Sequence, residues 1–153
     1  MAGLSVQYFA MVTASPTQQI SPTLQIVNNG ASSVDLTTLT MRYYYTKDGC
    51  SHSDQTFVCY FAQIGSGVIS GDFVTTTGTN ADEYLEVSFL TGAGTLAPGA
   101  NTGEIQASFH STDYQCMFNQ TNDYSFDATK TAFATWSNVT LYQNGTLVWG
   151  TEP

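Results

Sequence analysis

The side chains able to do acid–base chemistry near neutral pH are twelve carboxylates and two histidines in a chain of 153 residues. Catalysis needs two placed carboxylates, a nucleophile beside a base, or a metal with an open position. The densest acid cluster is Asp82-Glu83 with Glu86. If a strand begins near Tyr84, Glu83 and Glu86 fall on opposite faces, and the cluster reads as a solvated acidic edge. His52 lies in a loop-like context and His110 at a strand end, so both are expected at surface or loop positions. No serine sits in a G-x-S-x-G turn. Enzymatic activity has no support in these patterns.

Two polar stretches are better placed to bind than to react. Asp48-Gly49 follows "YYYTK", and Asn122-Asp123 lies inside "NQTNDYSFD", residues 119–127. Each alone reads as a turn. Together they can supply hydroxyl, carboxylate and carbonyl oxygens to a hard cation, which spacing by itself does not establish. The N-x-T triplets at Asn119, Asn138 and Asn144 carry no weight in a chain this rich in Asn and Thr. Cys50, Cys59 and Cys116 have no zinc-binding spacing, which leaves one bridge plus one thiol, or three thiols.

The elements that must position these residues repeat at period two. In "LTMRYYYT", Leu39, Met41, Tyr43 and Tyr45 share one face, with Thr40, Arg42 and Tyr44 on the other. Leu85, Val87 and Phe89 alternate with Tyr84, Glu86 and Ser88, and Ile105, Ala107 and Phe109 repeat the pattern. Val6-Gln7-Tyr8-Phe9 and Leu24, Ile26, Asn28 begin the series, and Asn144-Gly145 marks a hairpin. No window has a 3.6-residue period. About eight or nine strands in one domain imply an all-β, two-sheet sandwich or jelly roll. Hydrophobic residues make up 42%, enough for a core, while charged residues are only 10%. A net charge of −9, with only Arg42, Lys47 and Lys130 basic, argues against nucleic acid and anionic membranes as partners. No apolar run reaches membrane-spanning length, and no signal peptide is evident. Residues 3–153 are expected to be one excised module, with Met1 and Ala2 added in expression. The Thr-rich, lysine-poor surface leans extracellular.

The stretches "LTMRYYYTKDG", "DQTFVCYF", "NDYSF" and "LVWGTEP", in that order, resemble the family three carbohydrate-binding modules of bacterial cellulases and cellulosome scaffoldins. The resemblance runs from "LSVQYF" to Pro153. It implies a nine-stranded antiparallel jelly-roll sandwich, a structural calcium ion, no catalysis, and binding to crystalline cellulose through a flat strip. By position, the implied calcium ligands are Thr46, Asp48, Asn119, Asn122 and Asp123, with Asn119 and Asn122 offering backbone carbonyls. The ion would tie loops about seventy residues apart. The implied strip is altered here. Tyr114, in "TDY", stands where the family has a tryptophan. Tyr60 and Phe61 stand where it has an acid and a histidine, and Ser108 where it has the partner arginine, so the ion pair is lost. The loop that carries another tyrosine in some members is shortened to "IGSGVISGD". Phe61 and Tyr114 are the expected platform rings, with Tyr60 a third candidate. The alternative is that Tyr60 and Phe61 alternate as strand neighbours, so that one is buried; Phe61 is taken as outward. Gln106 and Gln18 match positions that contact neighbouring sugar chains, while Val12 and Ala14 replace further polar ones.

Cys59 matches a family cysteine and is expected to be a buried thiol. Cys50 and Cys116 lie in insertions, "CSHS" and "QCMFNQ", within the two loops that calcium would bring together, and are expected to form a disulfide. Arg42, Tyr44, Tyr84 and Glu86 match the family's shallow groove, or else an ordinary solvated sheet face. The resemblance implies a secreted, monomeric module of a larger protein in a cellulosome or on the surface of a cellulolytic bacterium. Its role would be to target a scaffoldin or cellulase to cellulose. The alternative is an accessory module packed on a glycoside hydrolase, guiding a single chain.

Overall fold

The computed structural model describes residues 3–48, 50 and 54–153. His52 and Gly49 lie outside the described residues. The strands are β1 (Leu4–Ala10), β2 (Gln19–Ile20), β3 (Pro22–Asn28), β4 (Val34–Asp35), β5 (Leu39–Tyr45), β6 (Gln55–Ala62) and β7 (Ile69–Gly78). They continue as β8 (Ala81–Phe89), β9 (Thr95–Leu96), β10 (Ile105–Ser111), β11 (Ala134–Thr135), β12 (Val139–Gln143) and β13 (Thr146–Trp149). Nine of these have four residues or more; the rest are two-residue pairings at sheet margins. The described residues contain no α-helix, only three short 3-10 turns.

The strands build two antiparallel sheets. In the first, β11, β1 and β3 are neighbours, β3 and β2 lie along one side of β10, and β6 along the other. In the second the order is β13-β12-β5-β8-β7. A ribbon of β4 and β9 closes one end. Side chains on a strand alternate between faces, so each sheet turns one face inward. The inward sets are those the alternation marks: Leu39, Met41, Tyr43 and Tyr45 on β5, Leu85, Val87 and Phe89 on β8, Ile105, Ala107 and Phe109 on β10. Val6, Tyr8, Leu24 and Ile26 join them from β1 and β3. Each such large side chain adds about 1.5–3 kcal/mol when removed from water. Asn144 and Gly145 have φ of 49° and 79°, the paired left-handed conformation of a type I′ turn, and they join β12 to β13 as the sequence indicates.

The edge strands β6 and β7 of the two sheets come together where Gly71 meets Phe57. A Cβ on Gly71 would lie 2.4 Å from Cγ of the Phe57 ring, so the close approach requires glycine. Gly71→Ala is expected to destabilise the domain by about 1–3 kcal/mol through overpacking. A urea midpoint equal to wild type would show that the two edges separate freely at this point.

Candidate functional site

β10 pairs with β6 through a bulge. Ala107 faces Cys59 and Ile105 faces Ala62, so Tyr60 and Phe61 together oppose Gln106. An extra residue in one strand breaks the alternation and re-aims the side chains around it. Both rings therefore face solvent, Tyr60 at 57% and Phe61 at 45% exposure. The alternative, in which one of them is buried, does not survive this bulge. The Tyr60 hydroxyl donates to Gln19 Oε1 at 3.1 Å. Gln19 lies on β2, beyond β10, so the tyrosine reaches across the strand between. Ser108 is buried there and donates to Ser21 Oγ at 3.0 Å.

Tyr114 is 54% exposed and lies just past the end of β10. Its φ is 58°, a left-handed conformation unusual for a bulky residue. The turn is closed by the Tyr114 N–H donating to the Ser111 carbonyl at 3.0 Å. Gln18 Nε2 donates to the Tyr114 carbonyl at 2.9 Å, so the exposed glutamine is engaged in holding this turn. Gln106 is half-buried and donates to Glu104 at 2.9 Å. His110 is neither at the surface nor in a loop: it lies within β10 and is only 4% exposed. Gln19 carries no signal in the sequence beyond a polar residue, and His110 only that of a surface or loop residue; Gln19 lies opposite His110 on β2, while Gln106, Ser108 and His110 alternate with the core residues in the outward phase of β10.

The two oxygen-rich loops do meet. The Tyr44 N–H donates to Ser125 Oγ and the Ser125 N–H to the Tyr44 carbonyl, which carries the end of β5 alongside residues 122–125. Thr46 Oγ1 lies 2.9 Å from Asp48 Oδ1, 2.7 Å from Asn122 Oδ1 and 3.3 Å from Asp123 Oδ1. A hydroxyl has one proton to give, so at least two of these contacts bring acceptor lone pairs together without a donor between them. Asp123 Oδ2 is buried with no hydrogen-bond partner. Burial, followed by the neighbouring Asp48 charge, pushes the Asp123 carboxyl up to about 8, against the pull of the Thr46 N–H. Crowded acceptors with an orphaned buried carboxylate oxygen fit a hard cation bound by oxygen. Among the described residues no three His, Cys, Asp or Glu side chains converge, and the mixed Thr, Asn and Asp set is not of that kind. Asn122 differs from expectation, since its side-chain oxygen is the atom that meets Thr46 Oγ1. Asn119 has its side chain occupied by Ser15 and Thr121 and its N–H by Asp48, which leaves its carbonyl. Gln120 was not anticipated: its buried amide donates to the Val12 and Ala14 carbonyls and fastens the 12–15 loop to the cluster.

Several other expectations change. Asp82, Glu83 and Glu86 are not a solvated acidic edge. Glu83 is buried, accepts from the Tyr45 hydroxyl and pairs with Lys47; Asp82 accepts the Lys47 N–H; Glu86 pairs with Arg42 at 3.3 Å. Each carboxylate is thereby committed. The groove residues come together, but Tyr44 and Tyr84 are buried rather than displayed. Arg42 sits 4.5 Å from the Tyr84 ring centroid and 4.0 Å from that of Tyr142, and the C-terminal residues Glu152 and Pro153 close over it. The remaining cleft of about 150 Å³ is smaller than the roughly 300–1,000 Å³ of ordinary small-molecule pockets. Cys59 is half-buried, not buried. Cys50 and Cys116 are both buried and present as thiols. Burial, then a hydrogen bond with Cys116, pushes the Cys50 thiol up to about 12, so the two insertions do bring their sulfurs together.

Comparison with known proteins agrees with this fold. The family model described as "Cellulose binding domain" matches residues 5–150. An uncharacterized protein in the celA 5′ region of Paenibacillus lautus is 49% identical over 148 residues, covering 97% of this chain and 100% of that protein. Endoglucanase A of the same organism is 46% identical over 135 residues, but these are 88% of this chain and only 19% of the endoglucanase. Among solved structures, the CBM3b of the major scaffoldin subunit ScaA from Acetivibrio cellulolyticus superposes with a TM-score of 0.93 at 37% identity, covering 99% of this chain and 97% of that one. The exposed aromatic face, the oxygen-lined loop junction and the two-sheet sandwich thus occur in a chain that belongs to the cellulose binding domain family, a family of non-catalytic carbohydrate-binding modules.

Proposed function

We propose that the module holds an attached scaffoldin or cellulase on crystalline cellulose through a flat strip of Tyr60, Phe61 and Tyr114, with Gln106 beside it. The observation that carries this reading is three large rings left in water on the β6–β10 side of one sheet. Exposed aromatics of this size are unusual unless something covers them. The apolar face of a glucose unit is such a cover, and a flat polymer repeats that face at regular intervals. Gln18, bound to the Tyr114 carbonyl, contributes by holding the ring's turn. Tethering by such a strip raises the effective concentration of attached domains at the solid surface without chemistry of its own. With Ser108 buried where an arginine would project, adsorption rests on rings and depends weakly on salt. The same lost ion pair supports a second reading, an accessory module that packs on a glycoside hydrolase and guides one chain. Adsorption of the isolated module to microcrystalline cellulose separates the two.

Calcium is the proposed occupant of the loop junction, held by Thr46, Asp48, Asn122 and Asp123 side chains and the Asn119 carbonyl. Two carboxylates would balance its charge, and a ligand that binds only the folded loops stabilises them, by about 2.7 kcal/mol at one hundred times Kd. In the secreted protein Cys50 and Cys116 are proposed to join beside it. Each thiol gives up a proton, and the electron pair of oxidation passes to an exchanging disulfide, which leaves as two thiols. In the chain-entropy model, closing so long a loop adds about 4 kcal/mol. Secretion, a monomeric state and attachment to further domains follow from the same reading.

Phe61→Ala and Tyr114→Ala are each expected to weaken adsorption by about 1–3 kcal/mol without unfolding the domain. Wild-type isotherms for both would dismiss the strip. For the cation, the sign is set by Asp123. Its carboxyl is raised from 3.8 to about 8 in the metal-free fold, so its contribution to stability is present below about pH 4 and is lost as pH rises through 8. Calcium requires the ionised form, so chelator is expected to lower the melting temperature far more at pH 8 than at pH 5. Asp123→Ala is expected to remove the response to calcium; a wild-type melting curve indifferent to chelator at pH 8 would refute the site. For the bridge, titration of unfolded, non-reduced protein is expected to find one thiol, Cys59, and three would disprove it.

A further inference from the structure

We infer that His110 is a positioning residue for the Tyr114 ring, a buried base plate on which that ring is held flat for the ligand; this rests on the cellulose-face reading above. His110 occupies the outward phase of β10, where a side chain would ordinarily meet water, yet it is almost wholly buried. Its cover is Tyr114. The two rings stack with centroids 3.9 Å apart and planes 14° from parallel. One face of the tyrosine therefore rests on imidazole, while the residue as a whole remains more than half exposed.

A single backbone carbonyl fixes both members of the stack. The Ser111 oxygen accepts from His110 Nδ1 at 2.6 Å and from the Tyr114 N–H at 3.0 Å. A carbonyl only accepts, so Nδ1 carries the proton and the imidazole plane is set by that bond. The second bond closes the left-handed turn that folds Tyr114 back over the strand. Gln18 secures the far side of the turn through the Tyr114 carbonyl. The result is a ring whose two side-chain torsions are set before any ligand arrives.

That matters because an exposed tyrosine must otherwise be ordered when a sugar settles on it. Ordering an interface side chain subtracts from affinity, and holding it beforehand returns that loss. The cost belongs to the free protein, where the stack already exists. His110 need not touch the polymer to act in this way.

The test is a set of adsorption isotherms on microcrystalline cellulose, with melting curves to verify folding. His110→Ala is expected to weaken adsorption about three- to tenfold, the scale of one ordered side chain. His110→Phe keeps a flat ring under Tyr114 and is expected to stay within twofold of wild type. In a Tyr114→Ala background, His110→Ala should cause no further loss. An unchanged isotherm for His110→Ala, or an equal loss in the Tyr114→Ala background, would overturn the inference while leaving the aromatic strip intact. Wild-type adsorption by Tyr114→Ala would instead remove Tyr114 from the strip and the inference with it. Should His110→Ala fail to fold, proton NMR of the exposed-site variant Tyr114→Ala decides: the His110 ring protons are expected to move downfield as the ring current disappears, and unmoved signals would show that no stack exists.

Discussion

Phe109 is the side chain around which the rest is arranged. Its ring lies against Tyr43, Tyr45, Phe73 and Phe118, and so joins β5, β7, β10 and the loop that follows β10. Placing it inward leaves β10 no freedom of phase, because a slip of one residue would turn Ile105, Ala107 and Phe109 out of the core together. Ser108 and His110 are consequently outward, and Gln106 with them. The outer face that the core forces into existence is the face that carries the exposed aromatics. Core packing and surface display are thus two consequences of one alternation.

Onto that fixed strand the structure adds two local departures. The bulge opposite Gln106 turns Tyr60 and Phe61 to the same side, which regular pleating forbids. The left-handed turn at Tyr114 brings a third ring back toward the sheet. Both departures sit beside β10, where the backbone is held on each side by neighbours and can bear local irregularity. Tyr60 then reaches Gln19, and Gln19 faces His110 across the β2–β10 ladder, so the aromatic positions are linked through the residues between them.

The loop after β10 continues from this face directly into the oxygen cluster. Cys116 N–H donates to Ser111 Oγ, Phe118 exchanges two backbone bonds with Thr17, and Gln120 draws in the 12–15 loop. Asp48 and Asp123 approach each other here despite a surplus of negative charge over the whole chain, and the desolvated Asp123 carboxyl records the cost. A cation at this junction would relieve that repulsion. It would also brace the loop that presents Tyr114, coupling fold stability to the shape of the exposed aromatic face without contacting it.

Much of this was legible in the residues alone. The period-two sets on β5, β8 and β10 mark the inward side chains, and Asn144-Gly145 marks its hairpin, because both depend on local geometry that a few neighbouring residues dictate. The resemblance of the "YYYTKDG" and "NDYSF" stretches also identified which loops meet at the oxygen cluster. What the chain order could not show is where the alternation breaks. The bulge at Tyr60-Phe61 exists only relative to β10, a partner that joins from far along the chain. Likewise Glu83, Tyr44 and Tyr84 look like surface residues until Lys47, Tyr45 and the C-terminal residues close over them. His110 is buried by a ring four positions later, which only a left-handed turn brings back over it. Periodicity along a strand is written in the sequence, whereas burial and ring orientation depend on which distant segments arrive as neighbours, and the tertiary structure alone decides that.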